Sequence, residues 1–421
     1  MPLLFILWVL ALPAYGYADE PTVVQKIEIS GLKYSDERVL LRELPFSSGS
    51  IWQASFIKTS ERRLRNLGIF TSRVSVLPPN QQGVVHIIVK DRWPIWLLPE
   101  ATRKDGGASR AGLAFTDYNL WGLNHFIRLS GSIDTGKNFT SKQGQSYHGS
   151  YIWRRIADSK YSIDMSVNRG DSIFDTFNNG VLSSSYAQNS QAWALGISYA
   201  FDEVPGEGWN ARAGLSHSIK QFTLKAGTPQ TNIQDSQRNA MNLGINYRFV
   251  DDHTTWITGS TFNYTIDFTN SVLGSTINSV RQQASWRTYL PLKQQNTINL
   301  RVNAGWIAGN ILRDGLFDLG SGEAIRGYYP GDLQGNAYIY ATLESRILLK
   351  PDSNVQWVAF IDAGHVNNQG RQAFGSAIVA GAGTGIRWTL RWLIHGTLRS
   401  DIAYSTALHR WRIHLGTGQA F

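Results

Sequence analysis

Beyond residue 92 of this 421-residue chain, apolar and polar residues change places at almost every step. In FIRLSGSID, Ile127, Leu129 and Ile133 alternate with Arg128, Ser130, Ser132 and Asp134. In YSIDMSVN, Tyr161, Ile163, Met165 and Val167 alternate with Ser162, Asp164, Ser166 and Asn168. WALGISYAF, MNLGINYRF, TFNYTIDF, TINLRVNAGW and RWRIHLGTGQAF keep the same rhythm. A period of two predicts strands with one apolar face. A long series of them, apolar toward lipid and polar toward a lumen, is what a closed transmembrane barrel requires, because closure leaves no unpaired strand edge in hydrocarbon. A soluble pair of β-sandwiches is the alternative, but it does not call for aromatics recurring at strand ends. Residues 92–421 can supply roughly 16 strands of about ten residues, and periodicity alone leaves the count between about 14 and 18.

The N-terminal part reads differently. VVQKIEIS alternates through Ile27 and Ile29, and SDERVLLREL sets Asp36 and Glu37 where a helix start favours negative charge. SFIKTSERRLRNLGIF carries Phe56, Ile57, Leu64 and Leu67 at helical spacing, with Gly68 suited to the position past the helix end. RVSVLPP and GVVHIIVKD predict two further strands. Residues 22–91 therefore read as a small α/β domain in the order strand, helix, helix, strand, strand. Ahead of it, the apolar run Leu3 to Leu12 followed by Gly16 and Ala18 predicts a signal peptide over residues 1–18, cleaved after Ala18. The apolar run is too short to cross ~30 Å of hydrocarbon. RWPIWLLPE reads as the link to the barrel, with Trp93 and Trp96 at a membrane interface.

Charge and composition narrow the function. The net charge of +9 comes without a Lys/Arg block interleaved with aromatics, so nucleic acid is not an expected partner; anionic lipid or plain solvent is. Lys58, Arg62, Arg63, Arg65 and Arg73 gather near the second helix of the small domain. They read either as a solvated face or as a docking patch for lipid head groups or an acidic client. With no cysteine, neither disulfides nor Cys-based metal sites exist. GAGTG, Gly381 to Gly385, imitates a dinucleotide fingerprint but runs on into the strand-like IRWTLRW instead of a helix. His365, His395 and His414 could join Asp362 or Asp401 in a hydrolase site, yet neither G-x-S-x-G nor H-E-x-x-H occurs. No enzyme activity, cofactor or metal is expected.

The segment GSGEAIRGYYPGDLQGNA, Gly320 to Ala337, surrounds the single arginine Arg326 with glycines. A phosphate cradle would need a helix after the loop. Instead AYIYATLESRILL alternates Ala337, Ile339, Ala341 and Leu343 with Tyr338, Tyr340, Thr342 and Glu344, which predicts a strand. The same alternation places Glu344 and Asp362 on inward faces.

Several of these stretches resemble the BamA/TamA-like family of outer-membrane assembly and translocation proteins, the bacterial surface antigen family. ISGLKYSDERVLLREL, LRNLGIFTSRVSV and GVVHIIVKD resemble a POTRA domain, the family's periplasmic module, and one such unit fits before Trp93. The glycine-rich segment resembles the family's sixth extracellular loop, VAFIDAGHV the lumen-facing strand that follows, and AGAGTGIRW with LRSDIAY the penultimate strands. DYNLWGLNHFIRLSGSI resembles the first hairpin.

The resemblance implies sixteen strands. It also implies an inward-folded loop 320–337, in which Arg326, followed by Gly327 and Tyr328, pairs with Glu344 and Asp362 beside Phe360 and Gly364. The C-terminal IHLGTGQAF resembles the family's terminal folding signal, with Gln419 where an aromatic is usual. Leu415, Gly416, Gly418 and Phe421 on the last strand would meet a first strand at about Arg110 to Tyr118, carrying Phe115, in a lateral seam. Glycines weaken packing in that last strand, so an opening seam and a closed seam of small residues are both open readings. The implied function is an outer-membrane translocase or insertase with its POTRA domain in the periplasm. It would capture unfolded β-rich outer-membrane or secreted clients, meet a periplasmic partner through that domain, and pass clients into or across the membrane without ATP. A passive pore or a partner-docking scaffold is the alternative.

Overall fold

The structure is a computed structural model and describes residues 22–103, 109–134, 144–178, 181–351, 353–368, 378–394 and 396–417. The small domain is built from β1 (Lys26–Ser30), α1 (Glu37–Leu41), α2 (Ser55–Asn66), β2 (Ser75–Val76) and β3 (Val84–Ile88). Its sheet has the order β1-β3-β2, with β1 parallel and β2 antiparallel to β3. Asp36 caps α1 by accepting from the backbone N–H of Arg38, and Gly68, with φ +74°, turns the chain just past α2. Val39, Leu40, Leu64, Phe70, Val85 and Ile87 form a closed core between helices and sheet. Asp91 ties the far end of the domain to the approach to α1, its Oδ2 accepting the backbone N–H groups of Lys33, Tyr34 and Ser35 at 2.8, 2.6 and 2.9 Å.

A closed antiparallel barrel follows. Its first half comprises β4 (Ile95–Arg103), β5 (Ser109–Leu120), β6 (His125–Asp134), β7 (Gln145–Trp153), β8 (Tyr161–Asn178), β9 (Val181–Ala200), β10 (Gly208–Gly227) and β11 (Ser236–Asp252). The second half comprises β12 (Ile257–Thr269), β13 (Ser279–Pro291), β14 (Thr297–Gly309), the two-residue β15 (Phe317–Asp318), β16 (Gln334–Leu348), β17 (Val355–Asn368), β18 (Val379–Thr389), β19 (Thr397–Ser405) and β20 (Arg410–Thr417). Setting aside the two-residue β15, the barrel has sixteen strands, and β20 lies beside β4 to close it. On the barrel strands the alternation sets an apolar outward face against an inward one. Leu129, Val167, Leu195, Leu215, Ile361 and Ile402 are exposed on the outside, where water would penalise them and lipid accommodates them.

The first barrel strand differs from the sequence reading. The stretch from Arg110 to Tyr118, with Phe115, belongs to the second strand, β5, and the first is β4, within the segment read as a link. Leu97 pairs with Phe115 and Pro99 with Leu113. Pro99 hid the strand, because a residue without an N–H removes one ladder donor and is confined to sheet edges or bulges. Residues 1–18, and Gly418, Gln419 and Phe421 of the C-terminal signal, lie outside the described residues.

Candidate functional site

Between β15 and β16 the chain turns back into the barrel. Leu319 and Leu333 are joined by a backbone hydrogen bond of 2.9 Å, and Ile325 donates to Leu319 at 3.0 Å, which makes the segment a folded plug with its own apolar centre. Leu319, Ile325, Tyr328 and Leu333 pack there with Tyr340, Val366 and Val379 of the barrel wall. Arg326 is 1% exposed. Its backbone N–H and Nε donate to Asp362 Oδ2 at 3.0 and 2.7 Å, its Nη2 to Asp362 Oδ1 at 2.9 Å, and its Nη1 to Glu344 Oε2 at 2.6 Å. The guanidinium carbon lies 3.3 Å from the centre of the Phe360 ring, so the planar cation is held at its edge by carboxylates and on its face by an aromatic.

Sheet register explains why these groups meet. Thr342 is paired with Asp362, and Glu344 with Phe360, so inward positions on adjacent strands stack into one layer of the lumen. Opposite Asp362 stands Gly381, and a Cβ there would lie 1.9 Å from the Arg326 carbonyl oxygen. A bare backbone on β18 is what lets the loop approach so closely. Gly364 leaves similar room beside Tyr340, where a Cβ would come within 2.5 Å of the tyrosine's own. Gly327, with φ +95°, carries the turn that follows the arginine. Tyr328 is fully buried and donates from its hydroxyl to the Ala380 carbonyl at 3.1 Å.

The network is larger than the three residues read from the sequence. Arg387 donates to Asp401 at 2.6 and 3.1 Å and to Glu344 at 3.2 Å, and Arg346 donates to the other Glu344 oxygen at 2.8 Å. Asp401 also stands 3.7 Å from Arg326. Three arginines thus face three carboxylates, and the formal charges cancel. Alternation could have found Arg387 and Asp401, since Arg387 shares its parity with Gly381 and Gly385, and Gly385 pairs with Asp401. The last strand also touches the loop. The Gly327 N–H donates to His414 Nε2 at 2.9 Å, and the Arg412 guanidinium covers the Tyr329 ring at 3.2 Å. Leu415 faces outward on that strand, 77% exposed, and Gly416 inward against Arg399.

A barrel with an arginine-anchored lumen loop, preceded by a small βααββ module, matches known proteins at both ends. The model described as Omp85 superfamily domain covers residues 119–421. The chain belongs to the Omp85 superfamily. The POTRA model, described as surface antigen variable number repeat, covers residues 22–91. The outer membrane protein assembly factor BamA of Nitratidesulfovibrio vulgaris is 20% identical over 363 residues, covering 81% of this chain; this chain spans 43% of that relative. Among solved structures, CdiB from Escherichia coli aligns with a TM-score of 0.64 at 16% identity over 94% of this chain and 75% of its own. CdiB from Acinetobacter baumannii gives 0.59 at 19% over 93% and 72%. BamA from Haemophilus ducreyi lacking POTRA domains 1–3 gives 0.55 at 17% over 95% and 84%. These likenesses are of fold. An Omp85 barrel with one POTRA unit is an outer-membrane protein with that unit in the periplasm.

The POTRA basic residues are placed differently from either sequence reading. Arg62 pairs with Glu207, Arg63 donates to Glu207 at 2.9 Å and to Glu203 at 3.2 Å, and Arg65 forms a two-pronged pair with Asp251 at 2.9 Å on each arm. Asn66 adds a bond to the Val250 carbonyl at 2.8 Å. Glu203 and Glu207 lie in the β9–β10 turn and Asp251 at the end of β11, so α2 rests on the periplasmic rim of the barrel. Lys58 and Arg73 remain exposed. The expected free basic face is thus corrected for Arg62, Arg63 and Arg65, whose charges are matched within the chain. Further contacts hold the module's other side: Arg155 to Glu43 at 2.9 Å, Arg42 to Asp158 at 2.8 Å, and Asp36 N–H to the Gly122 carbonyl at 2.9 Å.

The seam lies between β20 and β4. Fifteen neighbouring pairs of long strands carry runs of paired register, the shortest of eight residues. β20 and β4 are hydrogen-bonded neighbours that close the order. Phe115 stands one strand away from this junction. At its periplasmic end Trp96 of β4 meets Trp392, from the turn before β19, with ring centres 5.1 Å apart.

Proposed function

We propose that this protein is an outer-membrane translocase or insertase: its POTRA module captures an unfolded, β-rich client and the barrel passes it into or across the membrane without ATP. The observation that carries the reading is the lumen plug, locked by Arg326 to Asp362 and Glu344 and bonded to the last strand, β20, where that strand meets β4 to close the barrel. When the β20–β4 pairing opens, its two edges offer backbone donors and acceptors to an incoming strand, the means by which sheets take up an extra strand. The driving free energy comes from the client, which buries apolar side chains in lipid and satisfies its backbone as it closes. The family relative named as an assembly factor lends the same role.

In this reading the ion-pair network keeps the plug in place while the seam works. Breaking a buried pair costs about 3–5 kcal/mol, enough to hold one loop conformation against thermal motion. The test is quantitative proteomics of outer membrane, cell surface and medium after deletion of the gene. Loss of one or a few clients supports a dedicated translocase, and broad loss of barrels supports general assembly. No client lost, with ion conductance that persists after removal of the POTRA module, replaces the proposal with a passive pore or scaffold.

A further inference from the structure

Where the POTRA module meets the barrel, a cavity of about 440 Å³ remains between them. Six arginines line it: Arg42, Arg63, Arg154, Arg155, Arg212 and Arg248. Four are matched by carboxylates. Arg42 has Asp158, Arg63 has Glu207, Arg155 has Glu43, and Arg212 is chelated by Asp164 at 2.9 and 2.6 Å. Two are not. Arg154 donates to the Asn124 carbonyl at 2.8 Å, and among the described residues no carboxylate comes within ion-pair distance of it. The Arg248 guanidinium makes no hydrogen bond or ion pair with another described residue, and Asp252 acts on it only from farther away. Burial, and secondarily the neighbouring Arg42, pull Arg154 down to about 10, as happens to a cation withdrawn from water without full compensation.

We propose that this cavity is a binding site for a carboxylate-bearing peptide segment, received by Arg154 and Arg248 as the client passes from the POTRA module to the barrel mouth. The inference rests on the transport reading above. Charge complementarity selects an anion, since two guanidiniums without carboxylate partners present planar donor forks that carboxylates satisfy in pairs. Placement excludes a lipid. Arg248 shares the inward parity of Asn242 and Asn246 on β11, whose Met241, Leu243, Ile245 and Phe249 are exposed toward the membrane. Ile152 likewise faces inward, beside outward Trp153. Leu67, Ile152 and Val204 add apolar lining, which a bare inorganic anion would not use and a peptide side chain would.

The chain has no cysteine, so a single environment-sensitive fluorophore at Ser198→Cys, in the cavity wall, reports binding there. The full-length protein in lipid nanodiscs is titrated with an acidic peptide of alternating Asp and Val, with its Asn–Val counterpart, and with inorganic phosphate. The expected result is saturable binding of the acidic peptide, weakened about tenfold by each of Arg154→Gln and Arg248→Gln and unchanged by Lys58→Gln. Wild-type affinity for the acidic peptide also falls as salt rises, a readout that needs no variant. Equal binding of the Asn–Val peptide, unchanged affinity in the double variant with its barrel folded, or full displacement by phosphate at the peptide's own concentration overturns the proposal. Client loss on deletion without peptide binding sinks the cavity alone, whereas binding without client loss keeps the cavity and removes the transport reading.

Discussion

The backbone N–H of Gly327 donates to Nε2 of His414 across 2.9 Å, which bonds the plug of the lumen to the last strand of the barrel. Arg412, two residues earlier on β20, covers Tyr329 from the same side. The plug and the seam strand therefore move together or break two contacts. His414→Phe keeps a ring of similar size and removes the acceptor. We expect about 1 kcal/mol of local destabilisation and faster proteolysis between Gly320 and Leu333, with the barrel intact. Unaltered cleavage in that variant removes the coupling.

Arg326→Ala strands Asp362 in a site from which water is excluded and takes one of three arginines from Glu344, which keeps Arg346 and Arg387, at an expected cost of about 3–5 kcal/mol. Arg326→Lys restores the charge but not the two-pronged geometry, so it recovers only part of the loss. Thermal unfolding followed by the shift in gel mobility between folded and heated barrel reads both. Equal midpoints for Ala, Lys and wild type exclude an anchoring role.

Gly381→Ala places a methyl 1.9 Å from the Arg326 carbonyl oxygen, whereas Gly131→Ala meets nothing closer than the Tyr147 ring at 3.5 Å. The first change displaces the plug and costs about 1–3 kcal/mol; the second is near neutral. Hydrogen exchange at the loop amides distinguishes them. Identical exchange in the two variants contradicts the close approach.

Glu207 holds both Arg62 and Arg63 of the POTRA module. Glu207→Arg reverses the pairing and frees α2 from the barrel rim, seen as loss of exchange protection in residues 55–66. Adding Arg62→Glu and Arg63→Glu returns the protection. An unprotected α2 in the wild type would show that the docked arrangement is not held in solution.

Much of the site was legible because side-chain parity in a strand is fixed. Glu344 and Asp362 fall on inward positions of their strands, and the glycines around Arg326 announce a backbone under close approach. Arg387 and Asp401 obey the same parity, but the sequence assigns them no partner: Arg387 falls in the strand-like IRWTLRW and Asp401 beside the histidines of a rejected hydrolase reading. Strand β4 was hidden by Pro99, whose lost donor is tolerated at the seam. The partners of Arg62, Arg63 and Arg65 could not be read at all. Glu207 and Asp251 lie more than a hundred residues away in sequence, in rim positions that carry no period, and only barrel closure brings them under α2.

The anchored plug is proposed to serve client passage rather than mere barrel stability. Client abundance at the cell surface is measured in a deletion strain that carries wild type, Arg326→Lys or Arg326→Ala at matched levels of inserted barrel. Wild type is predicted to restore the missing clients in full, Lys in part, and Ala scarcely at all. Full restoration by Arg326→Ala, with its barrel folded and its plug loosened, would contradict the claim.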